Sequence, residues 1–246
     1  ATAAERGHEV ILLERSDRHG GQISLAAVPP HKEDLRLISD YLYGKAQRAG
    51  VTFRFSCEAT PESVRNLSPD AVIVATGSLP VVPRFCASAA GAVTPQDILS
   101  GAEAGKNVLM LGGGLIGCET AEYLAAQGRS VTVVEMLPQL AKDMEWCARV
   151  LLLRRMASLG IKLRSGNEIL SIGAGNAVTV RNEKGREETL SGFDTLVVAV
   201  GCRPDNALSD GLSAALDCPC VAVGDCRKTA KIMDAVHSGF EAALTL

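Results

Sequence analysis

Residues 107–135 read NVLMLGGGLIGCETAEYLAAQGRSVTVVE. Residues 108–111 are continuously apolar, the pattern of a parallel strand covered on both faces. Gly112, Gly114 and Gly117 follow in the spacing G-x-G-x-x-G. The next residues predict a helix over 116–127, packed through Ala121, Leu124 and Ala125 and stopped at Gly128. A second buried strand over 131–134 ends on Glu135. A lone G-x-G-x-x-G is weak evidence. Set between a strand and a helix, with an acid about 20 residues on, it is a dinucleotide-binding fingerprint. Gly112 permits the tight turn, Gly114 lets backbone approach a pyrophosphate, and Gly117 lets helix and strand pack closely. Leu115 and Ile116 complete the loop at the helix N-terminus, where free N–H groups and the helix dipole favour phosphate. Glu135 is expected to accept hydrogen bonds from the adenosine ribose. A 2′-phosphate would meet its carboxylate, and Met136, Leu137 and Pro138 bring no compensating base, so NADH is expected over NADPH.

The first fifteen residues, ATAAERGHEVILLER, repeat the second half of that unit. Glu14 falls on Glu135, Val10 on Val131 and Gly7 on Gly128. Residues 1–6 then read as the end of a helix and 9–14 as a strand closing on an acid. The expectation is a second βαβ unit whose first strand and glycine loop lie about 15 residues upstream of Ala1, in a longer polypeptide. Two dinucleotide sites in one chain point to electron transfer between two nucleotides.

Further signals agree. In SDRHGGQI (16–23), Gly20 and Gly21 let backbone crowd against a ligand and Gln22 offers an amide. A helix is expected over 35–49 and strands over 51–55 and 71–75, the latter running into Thr76 and Gly77. Residues 196–200 repeat that pattern into Gly201, which, like Gly224 further on, is expected to lie against a cofactor. Between them, 161–194 holds short alternating stretches and a hairpin turn at Glu183-Lys184-Gly185. A strand over 220–223 runs into Gly224 and Asp225, and a last helix starts near Lys231. An Asp after a Gly at a strand end suits a polyol hydroxyl, and the helix start suits a flavin's anionic edge.

Bulk properties exclude other classes. A net charge of -3 in 246 residues gives no electrostatic case for nucleic acid or an anionic membrane. No apolar run approaches the roughly 20 residues of a membrane helix. The eight cysteines are scattered, which fits reduced, cytoplasmic thiols. Cys57, Cys86, Cys118, Cys147 and Cys202 read as small buried hydrophobes. Cys218, Cys220 and Cys226 cluster, but no histidine follows at ligand spacing, so no metal site is expected. His237 reads as a packed or surface residue and Trp146 as core or surface packing, Asp194 as a turn residue, and 183–188 as a solvated hairpin tip. No residue is assigned a catalytic role.

The order Glu14-Arg15, Gly20-Gly21-Gln22, Ala75-Thr76-Gly77, Gly112-x-Gly114-x-x-Gly117, Gly224-Asp225 resembles the two-dinucleotide-binding flavoproteins. Within them, GGQISLAAVPPHKEDL (20–35) and VGDCRKTAKIMDAVHSGFEAA (223–243) are most similar to the C-terminal part of the 2,4-dienoyl-CoA reductase, 2-enoate reductase and trimethylamine dehydrogenase group. The resemblance implies an α/β fold of two Rossmann-like domains, the NADH domain (105–206) inserted into an FAD domain (1–104 and 207–246) that lacks its first strand and glycine loop. It implies FAD against Glu14, Arg15, Gly21, Gln22, Thr76, Gly77 and Asp225, and NADH against 112–117 and Glu135. It further implies a partner domain, a barrel with FMN and an iron–sulfur cluster, that takes the electrons from FAD. No C-x-x-C or C-x₄-C pair is present to receive them as in disulfide reductases. The alternative from another class is a non-catalytic scaffold holding only an adenine nucleotide.

Overall fold

Four parallel strands in the order Thr195–Val198, Asn107–Leu111, Ser130–Val134, Lys162–Arg164 carry the glycine loop. The computed structural model describes residues 1–86, 89 and 91–246. These divide into two units: Ala1–Ala27, Glu33–Leu79 and Cys202–Leu246 form the first, Val28–Lys32 and Pro80–Gly201 the second.

In the second unit, Val108, Leu109, Met110 and Leu111 are all fully buried. Alternation explains why the run is unbroken. Val108 and Met110 pack with Cys118, Ala121 and Leu124 of the Leu115–Ala126 helix. Leu109 and Leu111 face the other way, onto Ile172, Val178, Val180 and Leu190. The helix ends where Gly128 takes φ +81, and the Arg129 N–H returns to the Leu124 carbonyl. The Trp146–Ser158 helix, N-capped by the Glu145 carboxylate on the Cys147 and Ala148 N–H groups, adds Leu152 and Met156 to the same layer.

Residues 161–194 depart from the expected hairpin. Lys162–Arg164 joins the parallel sheet. The rest forms a three-stranded antiparallel sheet of Asn167–Ile172, Val178–Asn182 and Glu187–Leu190. The 183–185 turn lies where expected, with Asn182 Oδ1 accepting the Lys184 and Arg186 N–H groups. Its acidic flank is not simply solvated, because Glu188 is held by Arg164 at 2.7 Å. Asp194 is more than a turn residue: its Oδ2 accepts the Asn107 N–H at 2.8 Å and fixes the start of the glycine-loop strand.

The first unit holds two parallel pairs, Ile11–Leu13 with Thr52–Arg54 and Val72–Val74 with Cys220–Ala222. Among the described residues no further strand joins them. Leu13, Val72, Val74, Leu212 and Cys226 share one apolar cluster. The Leu35–Arg48 helix carries Tyr43 onto Phe53, with ring centroids 4.7 Å apart. The internal repeat is visible locally. Gly7 takes φ +97 and the His8 N–H returns to the Ala3 carbonyl, as Arg129 does to Leu124. The Ile232–Leu244 helix closes the chain. No described helix is long and apolar enough to cross a membrane.

Candidate functional site

Each glycine of the central loop meets different surroundings. Gly112 has φ +106, and a Cβ there would run into the Ala199 carbonyl. A Cβ on Gly117 would run into the Gly112 carbonyl. These two positions are closed by the protein's own backbone. Gly114 is the N-cap of the Leu115–Ala126 helix, and a Cβ there would meet nothing within 4 Å. The N–H groups of the first helical turn, at Leu115 and Ile116, therefore open onto a face that backbone-sized ligand atoms can approach.

Glu135 is 9% exposed, and both of its oxygens are engaged. Oε2 accepts the Gly113 N–H and Oε1 the Leu137 N–H, each at 2.7 Å. A carboxylate oxygen has two lone pairs, so each retains capacity for a ribose hydroxyl. Gly113 was not singled out from the sequence, yet a Cβ there would strike Leu140 and come 3.0 Å from the Glu135 Cβ. The run of three glycines was the available signal. Cys118 is buried beneath the loop, its thiol donating to the Gly113 carbonyl at 3.3 Å, and burial pushes its pKa up to about 12.

A buried ion pair beside the loop was not legible in sequence. Lys32 meets Glu119, whose side chain is 10% exposed. Burial raises the Glu119 pKa above its ordinary range, and Lys32 pulls it back. The pair joins the Val28–Lys32 segment to the glycine-loop helix. No local pattern signals a contact 87 residues apart. Gly201, expected near the nucleotide, lies at φ +118, and its carbonyl accepts the Val81 N–H at 2.9 Å.

In the first unit the structure brings three separate stretches together. Gln22 Nε2 donates to Ser78 Oγ at 3.1 Å, and Ser78 Oγ donates to Asp225 Oδ2 at 3.1 Å. The other Asp225 oxygen accepts the Ala230 N–H. Ser78, the hub, is a further residue the sequence reading missed. Gly77 has φ +82 and lies against the Gln22 amide, so a side chain there would collide with it. Thr76 is tied by its hydroxyl to the Asp205 carbonyl, and Gly77 accepts the Asp205 N–H. Gly21 has φ +48 with open space at its Cβ position, whereas Gly20 is filled by Ser24 and Ser39. Gly224 has φ +59 and packs on Ala235. Glu14 Oε1 accepts the Ser16 N–H at 2.8 Å, the same bond that Glu135 makes with Leu137. Arg15 is exposed.

The cysteine reading holds at Cys86 and Cys118 and is corrected at the other three: Cys57 and Cys202 are half-buried. Cys147 is exposed, near the start of a helix whose buried residues are Leu152 and Met156. Trp146 and His237 are exposed, on helix faces turned from their cores. No cluster that could hold a metal occurs among the described residues.

A parallel sheet with a glycine loop at a helix N-terminus, together with a second unit carrying a repeated strand–acid motif, defines a two-part nucleotide-binding α/β protein. Residues 1–239 match the pyridine nucleotide-disulphide oxidoreductase family, and the chain belongs to that family. It is 38% identical to an NADH oxidase of Thermoanaerobacter brockii over 98% of this chain and 38% of that protein. It is 34% identical to a bilirubin reductase of Mediterraneibacter gnavus over 99% of this chain and 38% of that protein. Among solved structures, a 2-naphthoyl-CoA reductase superposes with TM-score 0.92 at 29% identity, over 99% of this chain and 37% of that one. The chain thus spans under two fifths of the length of these relatives. It corresponds to the C-terminal, nucleotide-binding part of the reductase group that the sequence resembles. Thioredoxin reductase of T. acidophilum shares the fold, with TM-score 0.69 at 18% identity.

Proposed function

We propose that the chain is the NADH- and FAD-binding module of an NADH:flavin oxidoreductase. The observation that carries this reading is the glycine loop: closed by backbone at Gly112 and Gly117, open at Gly114, and tied through Gly113 to Glu135. In this reading NADH lies on the second unit. Its pyrophosphate meets the free N–H groups behind Gly114, and Glu135 takes the adenosine ribose and repels a 2′-phosphate.

FAD lies on the first unit. The residues there fit a flavin nucleotide: Gly21 is open, and Gln22, Ser78 and Asp225 form one hydrogen-bonded chain. Asp225 holds the polyol, Gln22 offers its amide, Thr76 and Gly77 line the strand end, and Glu14 takes the second ribose. When bound, the flavin supplies a two-electron acceptor for the nicotinamide hydride. The chain's own work is to bind, orient and hold charge, so no side chain is assigned proton transfer. A partner barrel domain with FMN and an iron–sulfur cluster, as the resemblance implies, would take the electrons onward, in the cytoplasm.

The test is a titration of NADH and NADPH followed by nicotinamide fluorescence. The reading predicts at least about tenfold tighter binding of NADH, with the preference lost in Glu135→Ala. Equal affinity for the two nucleotides in the unaltered protein contradicts it.

A further inference from the structure

Of the eight cysteines, two are built as a pair. Cys86, Cys118 and Cys226 are buried. The Cys226 thiol lies 3.0 Å from the Val74 carbonyl and 3.1 Å from that of Val223. Cys57 lies in a loop, Cys147 on the Trp146–Ser158 helix and Cys202 on the Cys202–Pro204 strand. Cys218 and Cys220 flank Pro219 at the entry to the Cys220–Ala222 strand, and both are partly exposed. Cys218 lies at a bend and Cys220 begins the strand two residues on. The Cys220 thiol donates toward the Cys218 carbonyl at 3.6 Å. Burial and the neighbouring Cys218 thiol both raise the Cys220 pKa. The backbone between them is fixed: Pro219 has a restricted φ, and its carbonyl accepts the Val72 N–H at 2.9 Å. Cys218 lines an open cavity of about 550 Å³ with Arg65, Ser68 and Asp217. The Arg65 guanidinium is held at that rim by the Ala215 carbonyl, with Asp70 and Asp217 on the same rim.

We propose that Cys218 and Cys220 form an oxidisable dithiol that closes to an intrachain disulfide when a small-molecule disulfide enters this cavity. The Cys218 thiolate attacks one sulfur of the incoming disulfide and releases one small thiolate, which takes up the proton Cys218 gave up. The Cys220 thiolate then attacks the Cys218 sulfur of the mixed disulfide. That step releases the second small thiolate, which takes up the Cys220 proton. One protein dithiol is oxidised and one small disulfide is reduced to two thiols, with no other reactant. The closed loop contains a single intervening residue, which puts the bond in the strained, easily reduced class. The site does not depend on the nucleotide assignments.

The test incubates the whole chain with oxidised glutathione, alkylates the remaining thiols and maps them by mass spectrometry. The expected product has lost two hydrogens within 218–220, is not alkylated there, and is restored by dithiothreitol. In Cys220→Ser a stable glutathione adduct accumulates on Cys218, and in Cys218→Ser closure is lost. A phenylarsine oxide titration gives an independent readout: one arsenical per chain protects both thiols from alkylation. Continued alkylation of Cys218 and Cys220 at the rate of exposed Cys147 after either treatment overturns the proposal. So does glutathione adduct on Cys218 of the unaltered chain without closure.

Discussion

At the scale of single residues, Gly114 and Gly117 sit three positions apart and would treat a methyl group in opposite ways. Gly117→Ala puts a Cβ against the Gly112 carbonyl. Overpacking of this kind costs about 1–3 kcal/mol, so its denaturation midpoint falls clearly below that of the unaltered chain. Gly114→Ala meets no protein atom. Its midpoint stays close to the original, while NADH affinity drops by about tenfold or more because the methyl occupies the phosphate approach. Measuring both properties on both variants separates a packing glycine from a ligand-facing one. Equal loss of stability in the two contradicts the assignment. The cysteines give a second contrast. Cys118, with its pKa pushed to about 12 in a buried site, stays unreactive to alkylation at neutral pH until the chain unfolds, whereas exposed Cys147 reacts at once. Alkylation of Cys118 at the rate of Cys147 in the native protein would show that the loop is not packed as described.

At the scale of elements, two ion pairs hold the glycine-loop helix. Glu122, whose side chain is 3% exposed, is gripped by Arg155 through both Nε and Nη2, joining Leu115–Ala126 to Trp146–Ser158. Arg155→Met strands a buried carboxylate, and about 3–5 kcal/mol of stability is expected to go in urea denaturation. A loss below about 1 kcal/mol would show the carboxylate rehydrated in the variant. Glu119 sets a pH dependence. Its native pKa lies above the ordinary 4.5, so the folded chain holds its proton more tightly than the unfolded chain does. This group's contribution therefore favours folding at low pH and declines as pH rises from 4.5 through the raised value. Glu119→Gln removes that slope, so its stability relative to the unaltered chain rises with pH across this window. A pH-independent difference contradicts the assignment.

Elements were legible where periodicity was strong. The 107–135 unit and the 35–49 and C-terminal helices lie within a residue or two of their expected bounds. The short helices Gln22–Ala26, Pro61–Arg65, Pro95–Leu99 and Ala207–Ala215 were not. Three of them have too few turns to show a period, although Thr60-Pro61 and Thr94-Pro95 carry the cap-and-proline start signal. Lys32–Glu119 and Gln22–Ser78–Asp225 were illegible because tertiary contact, not local pattern, makes them.

At the scale of the whole molecule, the proposed activity requires two nucleotides, one on the glycine loop of one unit and one on the Gln22–Ser78–Asp225 chain of the other. The most direct measurement is an anaerobic visible spectrum of the chain mixed with FAD, before and after NADH. The account predicts bound-flavin bands that bleach with NADH and poorly with NADPH. Bands that persist after NADH would contradict hydride transfer and favour a scaffold role.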